Sequence, residues 1–518
     1  MTRDTSRDGL NNKIETALLT GLRPFWAVVN AQPWLHALLN RIVVDRAASK
    51  LPARPLALST MHDDYTSWSS LTDRTWFSRY LPAADAPAQP DVADLFRPRA
   101  TGPRLSDRST LLFPSFAQWF TDGFLMTEPN RRKTRTNHQI DLSQLYGVTD
   151  DVTTALRLLS AAPGQRGRLR SVTKAGEEWA PPLFDAAGEK APGIPEPIHL
   201  SPSWDPLKRS TLFAFGGERA NSTCYTAAIN TLFLREHNRL AAAIEAANPA
   251  WDDDRVFETA RNVNIVQLIR VVVEEYINHI SPYWLQLTAS PVPAYRALWN
   301  RPNWIPVEFN LLYRWHSLIP EQVVWGGQSV PIGDCQFDNS RLLATGLAAT
   351  FASASDTRAW SLGLFNTAAA LQPVELLTIA QGRANKLAGY NDYRVNAGYP
   401  RVTRFEQISS DPTIIDALRT LYTDVDRIEF FVGLLAEDLP PRSAVPPLIG
   451  RMVAADAFSH ALTNPLLAPL VYTERTFSRI GMAAIVSMHS LSDLVGRNAS
   501  AAAEQRVTME WGDYRSSA

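Results

Sequence analysis

The stretch Glu308-Phe309-Asn310-Leu311-Leu312-Tyr313-Arg314-Trp315-His316 sets a metal-binding imidazole and an oxidisable phenol three positions apart. On a helix, three positions is nearly one turn. The spacing therefore predicts that an iron porphyrin held by His316 has the Tyr313 ring close to the macrocycle edge, where a tyrosine can be oxidised. A Tyr-x-x-His pair is also what two ordinary core residues look like, so the rest of the chain must decide. A second polar pair, Gln118 and Asp122, lies four residues apart on one face of a helical pattern beginning near Thr110. That pattern is otherwise apolar: Leu111, Leu112, Phe113, Phe116, Ala117, Phe120, Phe124 and Leu125. Polar side chains on a buried stripe need partners, either a site they face or a hydrogen-bonded pair that only stabilises the fold.

The elements that must position these residues read as helices. At 518 residues and 45% hydrophobic, the chain can bury one large core or two, and Lys+Arg 51 against Asp+Glu 52 leaves no positive excess for a nucleic acid. Only Cys224 and Cys335 are present, so no disulfide framework supports the fold, as expected of a reducing, cytoplasmic location or of a protein large enough not to need one. No apolar run behind the N-terminus is long enough for a secretory signal or a membrane span. Residues 12–52 form short amphipathic patterns interrupted at Pro24 and Pro33, with Leu, Trp and Phe on one side and Arg23, Arg41 and Arg46 between them. They suit a segment lying in one membrane leaflet, or a helical hairpin packed on the core. Residues 1–11 are expected to be disordered, 53–500 to form the main domain and 501–518 a tail. Helical patterns cover 219–248, 256–279, 340–354, 358–369, 373–380, 390–396, 413–422, 426–435 and about 446–463. Tyr276 and Tyr283 are seven apart, two turns along one face if the helix continues. No run alternates with period two for long, so the fold class is mainly α.

Together these residues resemble the haem peroxidase-cyclooxygenase superfamily, and within it the cyclooxygenase branch, in a bacterial-like form without the epidermal-growth-factor-like module. Leu234-Arg235-Glu236-His237-Asn238-Arg239 is similar to the superfamily's Leu-Arg-Glu-His-Asn-Arg signature. Glu308-Phe309-Asn310 through Tyr313-Arg314-Trp315-His316 resembles the cyclooxygenase segment, in which tyrosine stands where ordinary peroxidases carry arginine. Asp141 to Gly147 and Tyr390-Asn391-Asp392-Tyr393-Arg394 are further matches, in order over nearly the whole chain. The resemblance implies a multi-helical animal haem peroxidase-like domain. It makes His316 the proximal ligand of a haem b, with Trp315 and Asn310 beside the cofactor, and Tyr313 the radical that takes a hydrogen from an unsaturated fatty acid before O2 adds. Tyr276 and Tyr283 match channel tyrosines, Ser459 a channel serine, and Arg46 falls within one residue of the arginine that binds the substrate carboxylate. A homodimer and association of residues 12–52 with one membrane leaflet are also implied.

The distal segment departs from the family. Phe116-Ala117-Gln118-Trp119-Phe120-Thr121-Asp122 carries aspartate where the family has histidine. A carboxylate can accept a peroxide proton but returns it poorly near neutrality unless burial raises its pKa. Arg219 stands at the place of the ordinary peroxidases' distal arginine. Asp122 and Arg219 would either polarise a peroxide, with the cation making the carboxyl a worse acid, or close a disused site. Thr121 and Ser222 replace the carboxylates of covalently linked haem, and Gly123 supplies no calcium ligand, so non-covalent haem and no calcium are expected. The expected function is a haem-dependent fatty-acid dioxygenase. The alternatives are a peroxidase or peroxygenase using the Asp122/Arg219 pair, and a non-catalytic haem protein.

Overall fold

Prolines that interrupt the N-terminal pattern are helix starts, because a residue in the first turn needs no backbone N–H donor. Pro24 opens α1 (Arg23–Ala31) and Pro33 opens α2 (Pro33–Ala48). This computed structural model describes residues 14–49, 67–84, 89–123, 125–198, 205–289, 297, 299–300, 304–499 and 505–512. The N-terminal 1–11, Phe124 and most of the 501–518 tail thus lie outside the described residues. α1 and α2 bury Trp26, Val29, Val43 and Val44. Side chains of Asn30 and Asn40 donate to the carbonyls of Trp284 (2.9 Å) and Thr288 (3.0 Å), fixing both helices to the segment 284–288.

α3 (Leu112–Asp122) runs into the interior, where α4 (Cys224–Ala247) forms the central helix. α4 is buried on nearly every side. Thr223 caps it through a reciprocal exchange with Thr226. α5 (Asp253–Arg270) is capped by Asp252 and packs along α4. It continues as a π-helix over Val271–Ile277 and ends at Ile280. The helix therefore stops before Pro282, and Tyr276 and Tyr283 do not share a helical face as the seven-residue spacing suggested. α6 (Phe309–Leu312), α7 (Gln372–Ala384), α8 (Tyr390–Asn396), α9 (Phe430–Ala436) and α10 (Pro447–Leu462) complete the wall around the candidate site. α11 (Glu474–Val486) and a last helix at Leu491–Asn498, which periodicity did not reveal, close over α5 and α4.

Strands are few among the described residues: β1 (Leu105–Thr110), β2 (Val172–Lys174), β3 (Glu177–Trp179), β4 (Gln322–Trp325), β5 (Gln328–Pro331) and β6 (Arg358–Trp360). They form three antiparallel pairs, β1 with β6, β2 with β3 and β4 with β5. The fold is mainly α. The helix expected over 358–369 is instead β6 and an irregular turn. Its backbone N–H groups bond to other segments: Leu364 to the carbonyl of Leu435 (3.1 Å) and Phe365 to that of Leu95 (2.7 Å).

The Leu234–Arg239 signature is structural. Arg235 lies over the Trp179 ring and donates to the Glu178 carbonyl (2.6 Å). Buried Glu236 accepts from Arg239 (2.6 Å) and Gln267 (3.0 Å). His237 Nε2 meets the Gly167 carbonyl (2.8 Å), so its Nδ1 accepts from the Tyr146 hydroxyl (2.8 Å). Burial drives its pKa down to about 3, and the ring is a neutral member of the core.

Candidate active site

His316 begins a short 3₁₀ turn, His316–Leu318. α6 ends at Leu312, and the backbone bends at Tyr313 (φ −105°, ψ 18°) and again at Trp315 (φ −107°, ψ 42°). Tyr313 and His316 are thus not stacked one helical turn apart as the spacing predicted. Aromatic packing sets their relation instead. The Tyr313 ring sits 4.4 Å from Phe309 and 5.0 Å from Trp315, and Trp315 stacks in turn on Phe113 at 5.5 Å. The stretch is anchored from behind, where buried Glu308 accepts from the Tyr393 hydroxyl (2.8 Å) and the Tyr80 N–H (3.1 Å). This explains the Tyr390–Arg394 motif: α8 holds α6 in place.

The Nδ1 edge of His316 is buried 3.2 Å from Glu375 Oε2, close enough for an ion pair but not aligned as a hydrogen bond. Glu375, on α7, is fully buried and accepts from the Thr367 hydroxyl (3.1 Å). The His316 side chain keeps 20% of its surface reachable, and since Nδ1 is sealed, that surface lies on the rest of the ring. A carboxylate behind one ring nitrogen and an open opposite edge are what a metal-ligating histidine presents. These residues fit a porphyrin iron. Asn310 does not touch the imidazole; its side chain accepts from Thr127 (3.2 Å) and donates to the Val307 carbonyl (3.3 Å).

The distal residues are brought together by the Asp141–Gly147 segment. Ser143 donates to the Gly123 carbonyl (3.1 Å) and Gln144 to that of Trp119 (3.3 Å), pinning the end of α3. Gly216 and Gly217 bond to the carbonyls of Leu145 and Gln144 (both 3.0 Å), which brings in the loop carrying Arg219. A Cβ at Gly216 would lie 1.9 Å from the Gly147 nitrogen, so only glycine permits this approach. Gln118 and Asp122 are the two residues of α3 that are only partly buried.

Asp122 Oδ2 is buried without a hydrogen-bond partner. Burial raises the carboxyl from an ordinary 3.8 to about 7, against the opposing charges of Arg219 and Arg314. Arg219 lowers the Asp122 pKa, as expected, but desolvation, the one condition under which the carboxyl is expected to serve as an acid, outweighs the cation. No contact ion pair joins Asp122 to Arg219 among the described residues, and Arg219 Nη1 donates to the Leu125 carbonyl (2.9 Å). Arg314 is a cation the sequence reading passed over, although it lies within the opening stretch. Burial and the nearby Arg219 charge lower its pKa to about 10.

This gives a prediction for the haem-free protein. Below pH 4 the Asp122 carboxyl is protonated both folded and unfolded and contributes nothing. Between about 4 and 7 the unfolded chain releases the proton while the folded one holds it, so stability is lost as pH rises. The loss reaches at most about 4 kcal/mol above pH 7. Asp122→Asn is expected to melt higher than wild type at pH 8 and equally at pH 4. Equal melting at both would show that the carboxyl titrates normally.

The phenol pair is sealed. The hydroxyls of Tyr313 and Tyr276 are buried without an aligned hydrogen bond, yet lie close enough to perturb one another. Burial, reinforced by the Asp456 carboxylate, holds the Tyr313 phenol well above its ordinary range. Ser459 is buried and donates to the Asp456 carbonyl (3.0 Å).

A separate cavity of about 440 Å³, within the roughly 300–1,000 Å³ of small-molecule sites, opens between α2 and α10. Tyr283, Arg442, Arg451, Ile277 and Phe458 are among the residues that line it. Tyr276, Ser459 and Tyr313 lie outside that lining. Arg46 is also outside it; its side chain is half exposed and its Nη2 lies 3.2 Å from Glu15 Oε2.

The animal haem peroxidase family model covers residues 103–507. Prostaglandin G/H synthase 1 of Rattus norvegicus is 30% identical over 504 residues, 93% of this chain and 80% of its own length. Prostaglandin G/H synthase 2 of Equus caballus is 28% identical over 502 residues, with the same coverage. Among solved structures, the fatty acid alpha-dioxygenase of Oryza sativa shares the fold at a TM-score of 0.66 and 15% identity, covering 88% of each chain. Peroxidase A of Dictyostelium discoideum does so at 0.66 and 18%, covering 84% of this chain and 96% of its own. With the family model spanning residues 103–507 and a relative 30% identical over most of both chains, this chain belongs to the animal haem peroxidase family and is a haem-dependent oxidoreductase.

Proposed function

We propose that the protein is a fatty-acid oxygenase in which Tyr313 is the hydrogen-abstracting group. The observation that carries this reading is the phenol hydroxyl of Tyr313, buried beside Tyr276 on a ring packed against Phe309 and Trp315, in the segment that bears His316. His316 would hold the haem, with Glu375 behind it, and Asp122 and Gln118 would serve its other face. Bound haem supplies the one-electron oxidising power that a peroxide confers on it. Burial keeps the Tyr313 phenol neutral, so it loses its electron together with its proton. The phenoxyl oxygen then takes a hydrogen atom from an allylic carbon of the lipid, restoring the phenol and leaving a carbon radical to which O2 adds. The peroxyl radical regains a hydrogen atom from the phenol, giving a hydroperoxide and the phenoxyl again. Excluding water from this site keeps the radical from other reductants.

The names of the similar proteins support a fatty-acid substrate, as does the largely apolar cavity between α2 and α10. We propose that the haem is non-covalent haem b and that no calcium is bound: the Thr121 hydroxyl is spent on the Ala117 carbonyl (2.9 Å), and Gly123 offers no ligand. A second reading, peroxide turnover with Asp122 as acid and base, is favoured by its carboxyl titrating near 7. The test is oxygen uptake by the haem-loaded protein with unsaturated fatty acids, followed by mass spectrometry of the products. Uptake and an oxygenated lipid are expected; phenol oxidation by peroxide with no lipid product would favour the second reading.

The lipid-facing surface is the outer side of the N-terminal helices. Leu18, Leu22, Phe25, Val28, Trp34, Leu38 and Ile42 are exposed there, with Trp34 69% exposed. No helix among the described residues is long and apolar enough to cross a membrane. So large an apolar face on the two helices, the second of which also lines the cavity, supports docking on one leaflet. Trp34→Ser with Leu38→Ser is expected to weaken co-sedimentation with phospholipid vesicles on the order of 100-fold. Unchanged sedimentation of the double variant would remove this surface from consideration.

A further inference from the structure

We infer that Cys224 and Cys335, which the haem site does not use, are an oxidisable thiol pair: peroxide closes them into an intramolecular disulfide that staples the start of the central helix to the turn opposite it. The inference does not depend on which substrate the haem site takes.

Cys224 is the first residue of α4, and Cys335 ends the short 3₁₀ turn Ile332–Cys335 that follows β5. Both are fully buried and neither is in a disulfide. An antiparallel contact brings them together. Thr223 pairs with Gln336, and the Phe337 N–H donates to the Ser222 carbonyl (3.3 Å). In that register the next residues along, Cys224 and Cys335, stand opposite each other. Beyond them the Asn339 side chain donates to Asn221 Oδ1 (3.0 Å) and holds the same two segments together. The two thiols share a hydrogen bond. Opposed residues carry Cβ atoms about 4.5–5.5 Å apart and a disulfide needs about 3.5–4.5 Å, so closure asks for roughly 1 Å of movement. The turn on the Cys335 side, exposed at Gly333, Asp334 and Gln336, supplies it.

The surroundings set the order of attack. The hydrogen bond from the Cys224 thiol, with the Arg341 cation nearby, holds the Cys335 thiol below its ordinary range, whereas burial holds that of Cys224 well above it. Cys335 is therefore the nucleophile and Cys224 the resolving thiol. The Cys335 thiolate attacks one peroxide oxygen, the O–O bond breaks, and the departing hydroxide takes a proton and leaves as water. The Cys224 sulfur then attacks the sulfenic acid on Cys335, its proton goes to the leaving hydroxide, and a second water departs. Two thiols and one hydrogen peroxide give one disulfide and two waters. The cross-link closes a chain loop that contains α4, α5, Tyr313 and His316. It starts five residues beyond Arg219, so it also ties down the segment that carries the distal cation.

The test is mass spectrometry of the folded, haem-loaded protein, first reduced, then treated with hydrogen peroxide or with diamide, a thiol oxidant that needs no haem. Remaining thiols are alkylated with iodoacetamide in denaturant. Both cysteines of the wild type should escape alkylation. The peptides bearing Cys224 and Cys335 should be joined with loss of two hydrogens, in a monomer, and dithiothreitol should release them. The bridged protein should melt on the order of 5 °C above the reduced one. In Cys224→Ala, dimedone should trap a sulfenic acid on Cys335, and in Cys335→Ala it should leave Cys224 unmodified. Thiols that stay alkylatable in the oxidised wild type, or disulfides formed only between chains, would overturn the inference. Bridging by diamide but not by peroxide would overturn peroxide as the oxidant, and an unchanged melting temperature would overturn the staple. A dimedone adduct on Cys224 in Cys335→Ala would overturn the order of attack. The wild-type measurement decides the pairing whether or not the variants fold.

Discussion

In a Tyr313→Phe variant, oxygen uptake with an unsaturated fatty acid is expected to fall by roughly 10³-fold or more, the scale on which loss of a directly participating group is felt. The structure makes this substitution unusually clean. The Tyr313 hydroxyl has no aligned hydrogen bond to lose, and the ring contacts with Phe309 and Trp315 survive in phenylalanine. Removing a buried, unbonded polar atom costs the fold little, so folding and haem content should match wild type. Peroxide-dependent oxidation of a small phenol should also persist, because Asp122, Gln118 and His316 are untouched. Parallel loss of both activities would point to a disturbed haem site, and undiminished oxygen uptake would remove Tyr313 from the chemistry.

The second large effect is on the cofactor. His316→Ala is expected to abolish stoichiometric haem retention, seen as loss of the Soret band after gel filtration. Glu375→Ala should retain haem but bind it roughly 10–100-fold more weakly, as loss of a ligand's supporting partner typically does. The carboxylate 3.2 Å from Nδ1 favours the tautomer that leaves the other nitrogen free for iron. Glu375→Gln, which keeps the shape without the charge, should fall between wild type and the alanine variant. Haem affinity unchanged in all three variants would mean that iron is held elsewhere.

Much of this arrangement was legible in the sequence, for identifiable reasons. The helical class follows from apolar periodicity, and Gln118 and Asp122 stood out because polar residues interrupted an apolar stripe. What escaped notice depended on long-range packing. Glu375 lies on a helix far from His316 in the chain, and nothing in its local pattern marks it as the imidazole's backing. Arg314 was in plain view, but its closeness to Asp122 and Arg219 arises only once the Asp141–Gly147 segment gathers α3 and the Gly216-Gly217 loop. The 358–369 stretch read as helix because its composition allows one, whereas its N–H groups are taken by Leu435 and Leu95. Arg46 was chosen by alignment within one residue, and on a helix a one-residue offset turns a side chain by roughly 100°, enough to carry it from cavity to solvent.

The central claim is that the phenol at 313 stores the oxidising equivalent. The direct measurement is electron paramagnetic resonance of the haem-loaded protein frozen shortly after mixing with peroxide. The account predicts a tyrosyl radical whose hyperfine pattern narrows when ring-deuterated tyrosine is incorporated, and which disappears in Tyr313→Phe. An identical tyrosyl signal in the Tyr313→Phe protein would contradict it.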